Sequence, residues 1–193
     1  MEKRYDGSFR MIDRWKIFPD RAERLEELGR DLVNAGYLRG DYLLSSGVAT
    51  SYYFDKYLFE TKPGILRRLA TFLAELVPAN TDRLAGPELG AVPILTALAL
   101  ETGLPFVIVK KHRSGNGQTL VAGELYHGER VTVIEDVIST GSEALRTARE
   151  VGDLGALVLG ILAVLDRDEG ASEKLVAAGF HVSSLFRRVE LGL

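Results

Sequence analysis

Two adjacent acids and a run of hydroxyl residues stand between an apolar stretch and a helix-forming stretch. Residues 131–134 read Val-Thr-Val-Ile, Glu135 and Asp136 follow, and residues 139–142 read Ser-Thr-Gly-Ser. A strand, such a turn and a helix N-terminus bind a phosphate, because backbone N–H groups and the positive end of the helix dipole attract the anion. Two acids beside a bound phosphate are costly unless they bind another group, such as sugar hydroxyls or a hydrated cation. We expect the strand to end at these acids and the helix to begin at Glu143.

The phosphate-binding pattern differs from two common nucleotide-binding loops. It lacks the Gly-Lys-Ser/Thr of a nucleotide triphosphatase loop, and it lacks the spaced glycines of a dinucleotide fold. A second glycine-bearing stretch, residues 86–93 (Gly-Pro-Glu-Leu-Gly-Ala-Val-Pro), lies between a predicted strand and a predicted helix. It is either a tight turn or a backbone cradle for an anion such as pyrophosphate, because glycines allow the chain to approach the anion closely.

The composition of the chain excludes several classes of function. The chain has 193 residues, 46% of them hydrophobic, which suits one domain with its own core. A net charge of −3 gives no basic surface for nucleic acid, and no apolar run is long enough to cross a membrane. Cysteine is absent, which rules out disulfides, thiolate metal sites and cysteine nucleophiles. We expect a cytoplasmic protein without a nucleic-acid or membrane partner.

Short apolar runs alternate with stretches of helical periodicity, which predicts an α/β fold with a central parallel sheet flanked by helices. Ligands in such sheets bind beyond the carboxyl ends of the strands. Residues 21–36 form a predicted amphipathic helix, and residues 41–56 form two strand-like pieces around a Ser-Ser-Gly turn. We name this N-terminal part, about residues 1–60, the helix and hood, and residues 61–193 the core. The predicted core strands are residues 83–85, 106–109, 131–134, 156–165 and 181–186.

The stretch at 131–143 resembles the 5-phosphoribosyl-1-pyrophosphate (PRPP) motif of type I phosphoribosyltransferases. Residues 86–93 are similar to the Gly-Pro-x-x-x-Gly/Ala-x-Pro form of the orotate branch. The resemblance to that branch runs from about residue 20 to the end of the chain. It includes Leu44-Ser-Ser-Gly47 with Ser51-Tyr-Tyr-Phe-Asp55, the pair Asp166-Arg167, and Ser184-Leu-Phe186.

The resemblance implies a role for each part of the site. Glu135 and Asp136 would hold the ribose hydroxyls, and Ile138 to Ser142 would surround the 5′-phosphate. Mg²⁺ would accompany the pyrophosphate without a direct protein ligand. The resemblance further implies a homodimer. The implied PRPP contacts are Leu89, Gly90, Lys110, Lys111, Glu135, Asp136, Val137, Ile138, Ser139, Thr140, Gly141, Ser142 and Glu143, and the implied orotate contacts are Tyr53, Phe54, Ser139 and Arg167.

Two segments depart from the family pattern. Residues 110–120, which we name the lid loop, supply Lys110 and Lys111 as its first basic pair, but the family's catalytic lysine falls on Arg113 or Ser114. Ser45 stands where the hood of the family carries a lysine that reaches PRPP. A basic, glycine-rich loop is still suited to cover pyrophosphate, and Arg113 could neutralise the leaving group.

These features predict transfer of ribose 5-phosphate from PRPP to orotate, which gives orotidine 5′-monophosphate and pyrophosphate. Catalysis would come from positioning and electrostatic stabilisation, with Glu135, Asp136, Lys111 and Arg113 as the catalytic groups. Two alternatives remain: a phosphoribosyltransferase for another base, or a PRPP- or nucleotide-sensing regulator without activity.

Overall fold

The computed structural model describes residues 20–43, 49–112 and 120–193. Helix α1 (Arg21–Gly36) covers the predicted helical range, and its first turn is closed by reciprocal bonds between Asp20 and Glu23. Each of these residues accepts a hydrogen bond from the other's backbone N–H, which satisfies two donors that a helix start leaves unpaired. The apolar face of α1 is buried in the main core through Leu28 and Leu32. The sequence prediction for this helix is therefore confirmed.

The hood is a two-stranded antiparallel hairpin. Strand β1 (Tyr37–Leu43) pairs with β2 (Ala49–Phe54), and Tyr37 lies opposite Phe54. The predicted Ser-Ser-Gly turn and Ser45 lie outside the described residues. A one-turn helix, α2 (Tyr57–Glu60), follows the hairpin directly and was not predicted.

Six strands of the described part form the central sheet, in the order β5-β4-β3-β6-β7-β8. All neighbouring strands run parallel except the short edge strand β5, which is antiparallel to β4. The five predicted core strands are confirmed, as is the α/β class. The strands are β3 (Arg83–Pro87), β4 (Phe106–Val109), β5 (Val121–Ala122), β6 (Arg130–Ile138), β7 (Leu157–Asp166) and β8 (Val182–Arg187).

Helices cover both faces of the sheet. On one face α1, α3 (Pro63–Ala74) and α4 (Val92–Thr102) pack on apolar residues such as Ile134. On the other face α5 (Ser142–Asp153) and α6 (Ala171–Ala177) pack on Val133 and its neighbours. Adjacent strand residues point to opposite faces, so a strand buried on both sides reads as a continuous apolar run. The described chain ends in a short 3₁₀ helix (Arg188–Leu191).

One predicted boundary is wrong. Strand β6 does not end at Glu135 and Asp136 but continues to Ile138, because its parallel pairing with β7 extends to Ile138 opposite Asp166. Both acids therefore lie on a strand whose backbone the neighbouring strand fixes. Helix α5 begins at Ser142, one residue earlier than predicted. Among the described residues, no helix is both long and apolar enough to cross a membrane.

Candidate active site

A cavity of about 250 Å³ opens where β3 and β6 end. Four separate segments line it: Lys56 and Tyr57, which we name the hood junction; the β3–α4 loop; the first residues of the lid loop; and the end of β6 with the turn that follows it. Most of the predicted PRPP contacts lie in this wall, including both acids. The lining residues are Lys56, Tyr57, Pro87, Glu88, Leu89, Gly90, Ala91, Lys111, Glu135, Asp136, Val137, Ile138, Ser139, Thr140, Gly141, Ser142, Glu143 and Ala144.

The two acids of β6 have different electrostatic surroundings. Both are buried, with 4% of Glu135 and 1% of Asp136 exposed. Burial raises the pKa of Glu135 well above its usual range, and the negative charge of Asp136 raises it further. Asp136 instead has a cation partner, because Lys56 Nζ lies 2.6 Å from its Oδ2, while its Oδ1 accepts a hydrogen bond from the backbone N–H of Val137. The site thus holds one carboxylate paired with a cation beside one whose ionised form burial disfavours.

The turn between β6 and α5, residues 139–142, has the form of an anion-binding site, and we name it the anion turn. Gly141 adopts φ 68°, a conformation that glycine accepts readily, and it precedes the first residue of α5. The Thr140 and Ser142 hydroxyls are 3.1 Å apart, and Lys174 Nζ of α6 donates to Ser142 Oγ at 2.8 Å. Hydroxyls, a helix N-terminus and a nearby ammonium group all favour a bound phosphate.

Sequence reasoning missed Lys56, which lines the cavity, and the buried Glu60, which interacts electrostatically with Asp136. They stand four residues apart around the short helix α2, so both side chains lie on the same side of it. Glu60 is 1% exposed, and neither carboxyl oxygen has a hydrogen-bond partner among the described residues. Burial raises the pKa of Glu60 to about 8, and the charge of Asp136 acts in the same direction. The only sequence signal was a charged pair at helical spacing, in a stretch with no strong periodicity.

The two ends of the lid loop are fixed at the edge of the cavity. The Lys110 N–H donates to Leu120 O at 2.8 Å, and Arg146 of α5 donates to the Lys110 carbonyl at 3.0 Å. The Lys111 N–H donates to the Glu88 carboxylate at 2.5 Å. Lys111 lines the cavity, whereas the predicted PRPP contact Lys110 does not. The predicted catalytic residue Arg113 lies outside the described residues, as does Ser114.

The three predicted orotate contacts other than Ser139 do not line this cavity. Tyr53 is 42% exposed on β2, and its ring meets that of Tyr42 at 5.6 Å between centroids. Phe54 packs on Phe59 at the edge of the main core, with ring centroids 5.7 Å apart. Arg167 pairs with Glu169 at 2.9 Å, although its backbone N–H bonds to Ile138 O and so holds it beside the anion turn. Their assignment to the base remains a prediction.

The oxygen atoms of the cavity wall suit a hard cation such as Mg²⁺ that enters already bound to substrate and water oxygens. Across the described ranges, no three His, Asp or Glu side chains are grouped so that they could hold a metal ion. The carboxylates in the cavity wall, among them Glu88 and Asp136, are oxygen donors of the kind that Mg²⁺ and its bound waters prefer.

Comparison with known proteins assigns this architecture to one family. Residues 59–183 match the family model described as the phosphoribosyl transferase domain. The chain is 41% identical over 167 residues to the orotate phosphoribosyltransferase of Methanocella arvoryzae, covering 86% of this chain and 95% of the relative. It is 42% identical over 165 residues to the enzyme of the same name from Pyrococcus furiosus, covering 83% and 91%. The solved Mycobacterium tuberculosis orotate phosphoribosyltransferase in complex with PRPP superposes with a TM-score of 0.76 at 30% identity, covering 88% and 99%.

The buried Glu60 carboxyl group should make stability depend on pH. Its pKa is about 8 in the folded protein against 4.5 for an ordinary glutamate, so the folded state binds its proton more tightly. The resulting stabilisation is fully present below about pH 4.5 and is lost as the pH rises towards 8. Glutamine cannot titrate. The free energy of unfolding of wild type relative to Glu60→Gln should therefore fall across this window, by up to roughly 1.4 kcal/mol per pH unit.

Urea unfolding at a series of pH values measures this difference, with the exposed Glu173→Gln as control. The control should follow wild type at every pH. If the difference in the free energy of unfolding between wild type and Glu60→Gln stays constant from about pH 4.5 to 8, Glu60 is ionised in the folded protein across this window, which would contradict its raised pKa.

Proposed function

Because this chain belongs to the type I phosphoribosyltransferase family, we propose that it transfers ribose 5-phosphate from PRPP to orotate. The products are orotidine 5′-monophosphate and pyrophosphate, as expected of an enzyme of pyrimidine biosynthesis. One observation carries the proposal: the anion turn, the acid pair and the β3–α4 loop line a single cavity. A sugar that bears a phosphate at one end and a pyrophosphate at the other requires these three elements side by side.

Each element has a distinct part in binding PRPP. The 5′-phosphate binds at the N-terminus of α5, where the backbone N–H groups of the turn and the hydroxyls of Thr140 and Ser142 surround it. The ribose hydroxyls lie against Glu135 and Asp136. The pyrophosphate lies along the β3–α4 loop beside Gly90, where the absence of a side chain lets the backbone approach the anion.

The reaction breaks the bond between the anomeric carbon and pyrophosphate and forms a bond from that carbon to a ring nitrogen of orotate. The nitrogen releases its proton to solvent, and the pyrophosphate leaves with the electron pair of the broken bond. Positive charge develops on the ribose, near the acid pair, while negative charge grows on the leaving group, near Lys111. The protein therefore acts by positioning and electrostatic stabilisation, without a covalent intermediate.

Mg²⁺ is part of this proposal. The ion would enter bound to pyrophosphate oxygens and neutralise part of the leaving group's charge. The oxygen-rich wall of the cavity would accept its water ligands. We also propose that the protein is a homodimer, which a measurement of its mass in solution would test. We further propose that it is located in the cytoplasm.

An assay with several bases tests the proposed function. Purified protein with PRPP and Mg²⁺ should consume orotate, which is followed by its ultraviolet absorbance, and should release pyrophosphate in equal amount. Uracil, adenine, guanine and hypoxanthine should give no turnover under the same conditions. Turnover of one of those bases alone would assign a different acceptor, and PRPP binding without turnover of any base would favour a sensor.

The Gly90 position should tolerate no side chain. A Cβ atom there would overlap both Lys56 Nζ and Asp136 Oδ2, and Asp136 is too buried to move aside. We expect Gly90→Ala to lower kcat/KM for PRPP by roughly 100-fold, the usual effect of misplacing a reacting group by about 1 Å.

Gly64→Ala is the matched control, because a Cβ at Gly64 meets no atom within 4 Å. Thermal unfolding of both variants should show that the fold is retained. Unchanged kcat/KM in Gly90→Ala would contradict the placement of PRPP along this loop.

A further inference from the structure

Lys56 lines the cavity but lies outside the segments already assigned to PRPP. It stands between the hood strand β2 and helix α2, and its ammonium group lies 2.6 Å from Asp136 Oδ2. The same group lies against Gly90, since a Cβ there would overlap it. Lys56 therefore lies where the acid pair and the proposed pyrophosphate loop meet.

Charge in the cavity wall makes this ammonium group important. Glu88, Glu135, Asp136 and Glu143 bring carboxyl groups to the wall, whereas Lys56 and Lys111 are its cationic residues within the described ranges. PRPP carries several negative charges of its own. Binding it beside Asp136 requires that positive charge be available to the phosphate oxygens.

Lys56 is able to change partners. Its side chain is 34% exposed, whereas that of Asp136 is 2% exposed, so the lysine can move while the aspartate is held. Burial lowers the pKa of Lys56, but the attraction of Asp136 outweighs it, so the pKa lies above its ordinary value and the group stays charged. A lysine ammonium on a flexible stem can follow an anion over several ångströms.

We propose that Lys56 binds the pyrophosphate of PRPP, and that its move from Asp136 frees that carboxylate for the ribose hydroxyls. The proposal rests on the proposed function and extends it to a residue of the hood junction. Asp136 and a pyrophosphate oxygen compete for one ammonium group, and the pyrophosphate offers more charge. In the absence of PRPP the ion pair keeps Asp136 compensated.

Glu60 fits this exchange. It lies four residues from Lys56 on the same side of α2, is buried, and interacts electrostatically with both Asp136 and Lys56. When Lys56 moves away, its charge no longer offsets the repulsion between Asp136 and Glu60. Burial and the charge of Asp136 raise the pKa of Glu60 to about 8, which favours binding of a proton and so limits its repulsion of the freed carboxylate.

Calorimetric titration with two probes in the presence of Mg²⁺ tests the proposal. Lys56→Met removes the charge and keeps the length of the side chain. We expect it to weaken the binding of inorganic pyrophosphate and of PRPP by roughly 10- to 100-fold, the range for losing a charged hydrogen bond. Ribose 5-phosphate, which lacks the pyrophosphate, should bind as tightly as to wild type or more tightly, because Asp136 is then free.

Lys62→Met is the matched control, since Lys62 is exposed and lies outside the cavity wall. Lys56→Arg should recover part of the pyrophosphate affinity. If Lys56→Met proves unstable, Lys56→Gln replaces it in the same titrations.

The outcomes separate the two proposals. Wild type that binds neither PRPP nor pyrophosphate would overturn the proposed function. Wild type that binds both, with equal affinities in Lys56→Met, would overturn the role of Lys56 alone and leave the ion pair as a structural contact.

Discussion

Negative charge buried at the end of β6 is the constraint on which the rest of the site depends. Glu135 and Asp136 are adjacent and almost inaccessible to solvent, and the buried Glu60 interacts electrostatically with Asp136. Like charges in a protein interior raise one another's pKa values, and an unpaired buried carboxylate is strongly destabilising. The protein meets this constraint by pairing Asp136 with Lys56, while burial raises the pKa values of Glu60 and Glu135.

That single ion pair links elements far apart in sequence. Lys56 must reach Asp136 from the hood junction, which ties the N-terminal hairpin to the central sheet. Gly90 must lack a side chain, because the pair occupies the space beside its α-carbon. The anion turn is built separately, from the start of α5 and from Lys174 of α6. A sugar phosphate with a leaving group would contact both assemblies at once.

Sequence patterns predicted the sheet and the anion turn because both depend on local signals. Continuous apolar runs identify strands buried on two faces, and the Ser-Thr-Gly-Ser turn identifies a helix start. The end of β6 was wrongly predicted, since acids are rare in buried strands and only pairing with β7 carries the strand past Asp136. Lys56 and Glu60 were missed because their importance comes from burial and from a partner 80 residues away at Asp136, which no local spacing reveals.

A structure of the protein with PRPP and Mg²⁺ tests the central claim most directly. It should show the 5′-phosphate against residues 138–142, the ribose hydroxyls on Glu135 and Asp136, and the pyrophosphate beside Gly90. Lys56 Nζ should lie within hydrogen-bonding distance of the pyrophosphate and no longer on Asp136 Oδ2. PRPP bound elsewhere, or bound in this cavity with the Lys56–Asp136 pair intact, would contradict the account of how this site balances its charge.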